Sequence, residues 1–267
     1  MKLLSARNLR EDILSKLKNE NFTNKLILIS KNPSDEAIYY KNMIIKRCME
    51  FGIEYIDKCF ADESHEEILD FINSFDKEDG FIILAPFGDG ENLDYLKEEI
   101  KLRDLDGFTY ESLGKTMEGD FKSLPATVRA IVRFLAYENV EFKGKNIVIA
   151  NRTSVIGKPL AMYLTSESAS VSIINSSTRN SKEYIKNADI FISAVGRAKH
   201  YDKSYFSEEC IIVDVGTSVI NGKIVGDVDT ESIKDLDLSY LGSKNGIGSI
   251  TTITLVEGLK YWYANSK

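Results

Sequence analysis

GKNIVIANRTSVIGKPLAMYL (144–164) reads as strand, tight loop and helix in direct succession. NIVIA is a short apolar, β-branched run suited to a strand buried on both faces, and KPLAMYLTSE (158–167) has the spacing of an amphipathic helix. A loop in this context can bring main-chain N–H groups and a helix N-terminus to a pyrophosphate. The full GxGxxG is missing; Gly157 alone stands where a small residue permits close helix and strand packing. An ordinary strand-to-helix turn is the competing reading.

Working outward, the same alternation recurs. LILIS (26–30), FIILA (81–85), VSIIN (171–175), DIFISAV (189–195) and CIIVDVG (210–216) read as further buried strands. DEAIYYKNMIIKRCMEFG (35–52), HEEILDFINSF (65–75) and ATVRAIVRFLAYEN (126–139) read as helices between them. Strands alternating with helices predict an α/β fold with parallel sheets. The close succession of strands from 146 onward predicts a dinucleotide-binding lobe, with GDFKSLPATV (119–128) as the crossing point from a first lobe. The tail TTITLVEGLKYWYA has helical periodicity and could return to the first lobe.

Composition sets the outer limits. The chain has 267 residues, enough for one large domain or two of ordinary size, and 43% apolar residues suffice for a packed core. No apolar run approaches the roughly 20 residues of a membrane span, and the charged start MKLLSARNLREDILSKL does not suit a signal peptide, so a cytoplasmic protein is expected. A net charge of −7 without a long basic run argues against a nucleic-acid or membrane partner. Cys48, Cys59 and Cys210 form no CxxC or Cys/His cluster; they read as reduced packing residues, and no metal site is expected. The two histidines, His65 and His200, lie in charged stretches read as solvated, which leaves no basis for a histidine-centred triad.

After the second strand of the nucleotide lobe, an NAD-preferring site would usually place a carboxylate for the ribose hydroxyls. NSSTRN (175–180) has none. Asn175, Ser176, Ser177, Thr178 and Arg179 offer hydroxyl and cationic donors instead, joined by Arg152, and these suit a 2′-phosphate and hence NADP.

The ordered set of segments resembles the methylenetetrahydrofolate dehydrogenase/cyclohydrolase family across nearly the whole chain. NRTSVIGKP (151–159) is similar to the family's GRSxIVGxP, RDLDGF (103–108) to KDVDGF, SAVGRA (193–198) to AVGRP, and DVGTS (214–218) to DVGIN. GDVD (226–229) is unchanged, and GIGSITT (246–252) is similar to GVGPMT. The resemblance implies a folate-binding α/β lobe (1–119, completed by a C-terminal helix at 251–267), a Rossmann-like NADP lobe (120–250) and a homodimer. It implies cofactor contacts from Asn151, Arg152, Thr153, Ser176 and Thr217, with Gly196 and Gly216 keeping the strand ends open to the nicotinamide. Folate contacts are implied for Tyr40, Pro86, Asp106, Gly248 and Ser249, with Tyr40 and Asp106 serving catalysis.

The sequence departs from the family where hydrolysis is served. The family's first-lobe helix reads YVxxKxKxxxxxG, and counting back from Gly52 in YKNMIIKRCMEFG places Tyr40 at the tyrosine, Lys46 at the second lysine and Ile44 at the catalytic lysine. Lys46 lies about 240° around the helix from Tyr40 and cannot take over. In ILAPFG (83–88), similar to VQLPLP, Leu84 stands where the lysine's glutamine partner belongs. PATVRA (125–130) replaces PCTPxG, Ser249 replaces a proline, and Asn151 puts a side chain where a glycine would admit phosphate. Moving a hydride off the folate methylene needs aligned rings and no strong base; opening the methenyl bridge needs an activated water and proton traffic. The expected activity is NADP-dependent oxidation of methylenetetrahydrofolate with cyclohydrolase activity weak or absent. The alternatives are a fully bifunctional enzyme, with Tyr40 or Lys41 compensating, a folate- or nucleotide-binding paralogue without turnover, and a dehydrogenase on the same fold with a non-folate substrate, against which Tyr40, Pro86 and Asp106 speak.

Overall fold

Apolar runs that are continuous rather than alternating must be covered on both faces, and the computed structural model, which describes residues 1–88, 90–220 and 223–260, places them in two parallel sheets. In chain order the elements are β1 (Lys2–Leu3), α1 (Arg7–Leu17), β2 (Leu26–Lys31), α2 (Asp35–Phe51), β3 (Tyr55–Phe60), α3 (His65–Asn73), β4 (Gly80–Ile83), α4 (Asp94–Glu99), β5 (Arg103–Asp104) and α5 (Tyr110–Met117). There follow α6 (Ala126–Tyr137), β6 (Asn146–Ala150), α7 (Gly157–Ser166), β7 (Ser170–Ile174), α8 (Ser181–Lys186), β8 (Ile190–Ser193), β9 (Ile211–Asp214), β10 (Ser218–Ile220), β11 (Lys223–Val225), α9 (Thr230–Ile233), β12 (Ser239–Leu241) and α10 (Gly248–Glu257). The chain divides into two units, one of residues 12–126 with Thr252 onward, the other of residues 1–11 with 127–251.

The first unit carries the parallel sheet β3-β2-β4-β5. All six residues of β2 are buried, and Ile27, Ile29 and Phe81 join Phe60, Ile68, Ile72 and Leu96 in one apolar cluster. Helix α2 starts where Ser34 accepts from the Ala37 N–H and Asp35 and Glu36 face the positive helix end; it stops at Gly52, whose φ of +65° suits glycine. Helix α3 opens on a complete capping box between Ser64 and Glu67. Downstream of α10, Arg103 Nη1 donates to Leu259 O (2.7 Å) and Lys260 Nζ to Asn21 O (2.7 Å), so the C-terminal segment returns to this unit. The tail residues 261–267, expected to continue the helix, lie outside the described residues.

The second unit carries β1-β12-β9-β8-β6-β7, parallel throughout. Its sequence starts at β6, runs outward to β7, then crosses to β8 on the other side of β6. This reversal opens a crevice at the carboxyl ends of β6 and β8. One expectation needs correcting: residues 1–11 do not belong with the first lobe. β1 pairs with β12, Lys2 opposite Ser239, and Ala6 N donates to Asn245 O (2.8 Å). A two-residue strand shows no periodicity, so only its long-range partner reveals it.

Two side-chain readings also change. Cys48 and Cys210 are buried as expected, but Cys59 is exposed because alternation on β3 turns it outward. His65 is half-buried and paired: its Nε2 lies 2.8 Å from Glu91 Oε2, while Glu91 Oε1 pairs with the nearly buried Lys31 Nζ at 2.8 Å. These contacts hold the Glu91 carboxyl below its usual range.

Candidate active site

The crevice at the β6/β8 reversal is a cleft of about 440 Å³. The loop after β6 supplies Asn151, Arg152 and Thr153, the end of β7 and its loop supply Ile174, Asn175, Ser176 and Thr178, and the chain after β8 supplies Ala194, Val195, Arg197, His200 and Tyr201. Arg152 and Ser176 thus reach one cleft from different loops. Arg179 does not; it lines a separate hollow with Asn146, Ser172 and Glu183. Gly196, Gly216 and Thr217 are not among the lining residues of the cleft.

Inside the β6 loop, Asn151 is not an obstacle at the surface but a bracket. Its Oδ1 accepts from Thr153 N (2.9 Å), Thr153 Oγ1 (2.8 Å) and Gly157 N (3.0 Å), and its Nδ2 donates to Ala194 O (2.7 Å). The Thr153 hydroxyl, expected as a donor to phosphate, gives its proton to Asn151 and accepts from Ile156 N (3.2 Å). Next to it, Asn175 builds its own turn, accepting from Ser177 N at Oδ1 and donating its N–H to Thr178 Oγ1, both at 2.9 Å. That turn leaves Ser176 exposed at the cleft.

The loop after β8 is held by a carboxylate that sequence reading matched only as part of GDVD. Asp227 is fully buried; its Oδ2 accepts from Ser193 Oγ (2.6 Å) and Val195 N (2.8 Å), and its Oδ1 from Arg197 N (2.7 Å). Asp214 in turn accepts from the N–H groups of Asp227 and Val228 (both 3.0 Å) and from Tyr240 Oη (3.1 Å). Burial pushes the Asp214 carboxyl up to about 6, against the pull of the two amides and with a further push from Asp227. Gly216 acquires a reason different from an open nicotinamide side: a Cβ there would lie 2.0 Å from Asp227 Oδ2. The sequence signal was present, an Asp ending the apolar run IIVD and another beside Gly226, but neither names the other as its neighbour.

In the first unit, α2 carries Tyr40, half-buried, and one turn on Ile44, which is 0% exposed. Leu84, 2% exposed, follows β4, and the Ala85–Pro86 peptide is cis with Pro86 exposed. The turn at 103–109 is organised by buried Asp104, whose carboxylate accepts from Asp106 N, Thr109 N and Thr109 Oγ1. Asp106 is therefore not the turn-former; it is half-buried and its Oδ1 accepts from Ala126 N (2.8 Å) at the start of α6. Gly107 (φ +69°) lies so close to Pro125 that a Cβ would meet its Cγ at 2.7 Å. Gly248 and Ser249 begin α10 in the other unit, where Ser249 Oγ donates to Gly246 O (2.7 Å).

Known proteins give this geometry a lineage. The family model described as the NAD(P)-binding domain of tetrahydrofolate dehydrogenase/cyclohydrolase matches residues 125–266. The bifunctional protein FolD of Clostridium botulinum is 35% identical over 262 residues, covering 94% of this chain and 93% of its own. The chain belongs to the tetrahydrofolate dehydrogenase/cyclohydrolase family. The FolD of Clostridium beijerinckii is 32% identical over 261 residues with the same coverage. In three dimensions the chain is similar to the bifunctional enzyme FolD, methylenetetrahydrofolate dehydrogenase/cyclohydrolase, from Campylobacter jejuni, at a TM-score of 0.90 and 28% identity over 97% of each chain.

Within this tetrahydrofolate dehydrogenase/cyclohydrolase chain, the charged residues near Ile44 on α2 are engaged or turned away. Lys46 is exposed, and Lys41 Nζ pairs with Asp57 on β3 at 2.9 Å. Ile44 itself sits in the core with Ala37, Arg47 and Cys48 as the other buried residues of α2.

Proposed function

We propose that this protein oxidises methylenetetrahydrofolate to methenyltetrahydrofolate with NADP, and that it opens the methenyl bridge weakly or not at all. The observation that carries the second half is the burial of two alkyl side chains, Ile44 with 0% and Leu84 with 2% exposure, at the positions that the motif count assigns to the family's catalytic lysine and its partner. Neither can hold or move a proton. The oxidation makes no such demand. Held at Arg152 and Ser176, NADP would supply the hydride acceptor for the folate methylene, and the two folate nitrogens that flank the carbon would share the positive charge left there. The chain's own task is to bind and align.

In this reading the second unit is the nucleotide lobe. Arg152 and Ser176 meet the 2′-phosphate, and Asn151, Thr153, Gly196, Gly216 and Thr217 shape the loops around the cofactor rather than donate to it. The first unit is the folate lobe, in which Asp106 holds the amino-pyrimidine ring by charge-assisted hydrogen bonds and Tyr40 and Pro86 flank the ring system. The working form is a homodimer, as in the family. The deciding experiment follows NADP reduction with methylenetetrahydrofolate beside hydrolysis of the methenyl compound. Reduction without hydrolysis is expected. Both reactions at enzymatic rates would favour the bifunctional alternative, and neither would favour a binding paralogue.

A further inference from the structure

The first N–H groups of a helix have no partners within the helix, so a strand-loop-helix unit ordinarily offers them to a phosphate. At α7 they are already occupied. Ile156 N donates to Thr153 Oγ1 (3.2 Å), Gly157 N to Asn151 Oδ1 (3.0 Å), Lys158 N to Thr153 O (3.0 Å) and Leu160 N to Ile156 O (3.0 Å), while Pro159 brings no N–H. Asn151 Oδ1 is the focus: three donors converge on it, as they would on an anion's oxygen. Its Nδ2 fixes this arrangement by spanning from the β6 loop to Ala194, at the end of β8. Gly157 permits the close fit, since a Cβ there would lie 1.9 Å from Asn151 O.

We propose that Asn151 is a built-in substitute for the anion at the start of α7, and that the cofactor's pyrophosphate is consequently held by the cationic side chain of Arg197 in the cleft, and not by helix amides. The proposal rests on the dinucleotide reading of the cleft. Arg197 lines that cleft and is exposed, whereas the helix-end donors already have acceptors within the protein. Asn151 therefore decides which groups read the phosphates, a role the family's glycine could not fill.

Two variants test this. The backbone at Asn151 is not left-handed, so Asn151→Ala suits the main chain, and it removes the competing oxygen together with the Nδ2 bond to Ala194 O. Titrated with sodium pyrophosphate, N151A should bind at least about tenfold more tightly than wild type, the worth of a restored charge-assisted hydrogen bond, and pyrophosphate should raise its unfolding temperature. Equal or weaker binding by folded N151A overturns the proposal. Arg197→Ala alters an exposed side chain and leaves its N–H bond to Asp227 in place. It should weaken NADP and NAD by the same factor, about tenfold or more, because both carry the pyrophosphate; unchanged affinity overturns the proposal even if N151A does not fold. If wild type binds neither dinucleotide, the cofactor reading fails, while the pyrophosphate comparison still judges Asn151.

Discussion

Returning the lysine to α2 puts a number on what Ile44 contributes. Ile44 has 0% exposure, so Ile44→Lys exchanges a packed side chain for a charge without water. A fully buried lysine can have its pKa lowered by about 3–5 units from about 10.4, and at about 1.4 kcal/mol per unit the part of that shift felt at pH 7 is a penalty on the order of 4–5 kcal/mol. Total stability is typically about 5–15 kcal/mol, so the single variant should be close to unfolding. The penalty has a sign. Between the lowered folded pKa and about 10.4 the unfolded chain binds the proton and the native one does not, so I44K should gain stability as pH rises through that window, while wild type does not share the trend. Adding Leu84→Gln supplies an amide that can accept from the ammonium, worth about 1.5–3 kcal/mol. Urea unfolding at pH 7 and 9 of wild type, both single variants and the double variant gives the coupling between the positions, and methenyl hydrolysis is read on the same samples. Favourable coupling and hydrolysis that appears only in the double variant are expected. Wild type that already hydrolyses the methenyl compound at an enzymatic rate refutes the reasoning, and zero coupling between the two positions would mean that they do not act together.

Other expectations follow from single residues. Wild type should bind NADP at least tenfold more tightly than NAD, and Arg152→Ala should remove most of that preference through loss of a charged hydrogen bond worth about 1.5–3 kcal/mol; calorimetry showing equal loss for both cofactors would place Arg152 away from the 2′-phosphate. Asp106→Asn keeps an oxygen for the Ala126 N–H and should raise the folate KM or abolish turnover at wild-type stability, while Asp106→Ala should also lose about 1 kcal/mol of helix capping. Wild-type turnover by D106N would confine the residue to capping. Asp214 titrates near 6 when folded against 3.8 for the ordinary carboxyl. Between those values only the native state holds the proton, so stability should fall by about 3 kcal/mol as pH rises from 4 to 6 and stay level above. Denaturant midpoints across that range should lose this component in Asp214→Asn, and an unchanged slope would show that the buried carboxyl titrates elsewhere.

The sequence by itself determined the α/β class, most of the buried strands, the long helices and the family. These rest on local periodicity and on the order of short motifs, both of which survive without knowledge of contacts. It also carries the proposal of weak hydrolysis, which rests on the apolar residues Ile44 and Leu84, because an alkyl group cannot move a proton in any setting. Tertiary structure decided the rest. β1 and β12 have two and three residues, too few for a pattern, and exist through pairing across more than two hundred positions. The exchange of roles between Asp104 and Asp106 depends on which carboxylate the turn buries. Asp227 finds Ser193 and Arg197 some thirty residues away, and Asn151 turns inward to Gly157 and Ala194 instead of outward to a ligand. Such choices follow from where hydrogen-bond donors converge once the sheet has formed, and a buried donor must find its acceptor wherever the fold has brought one.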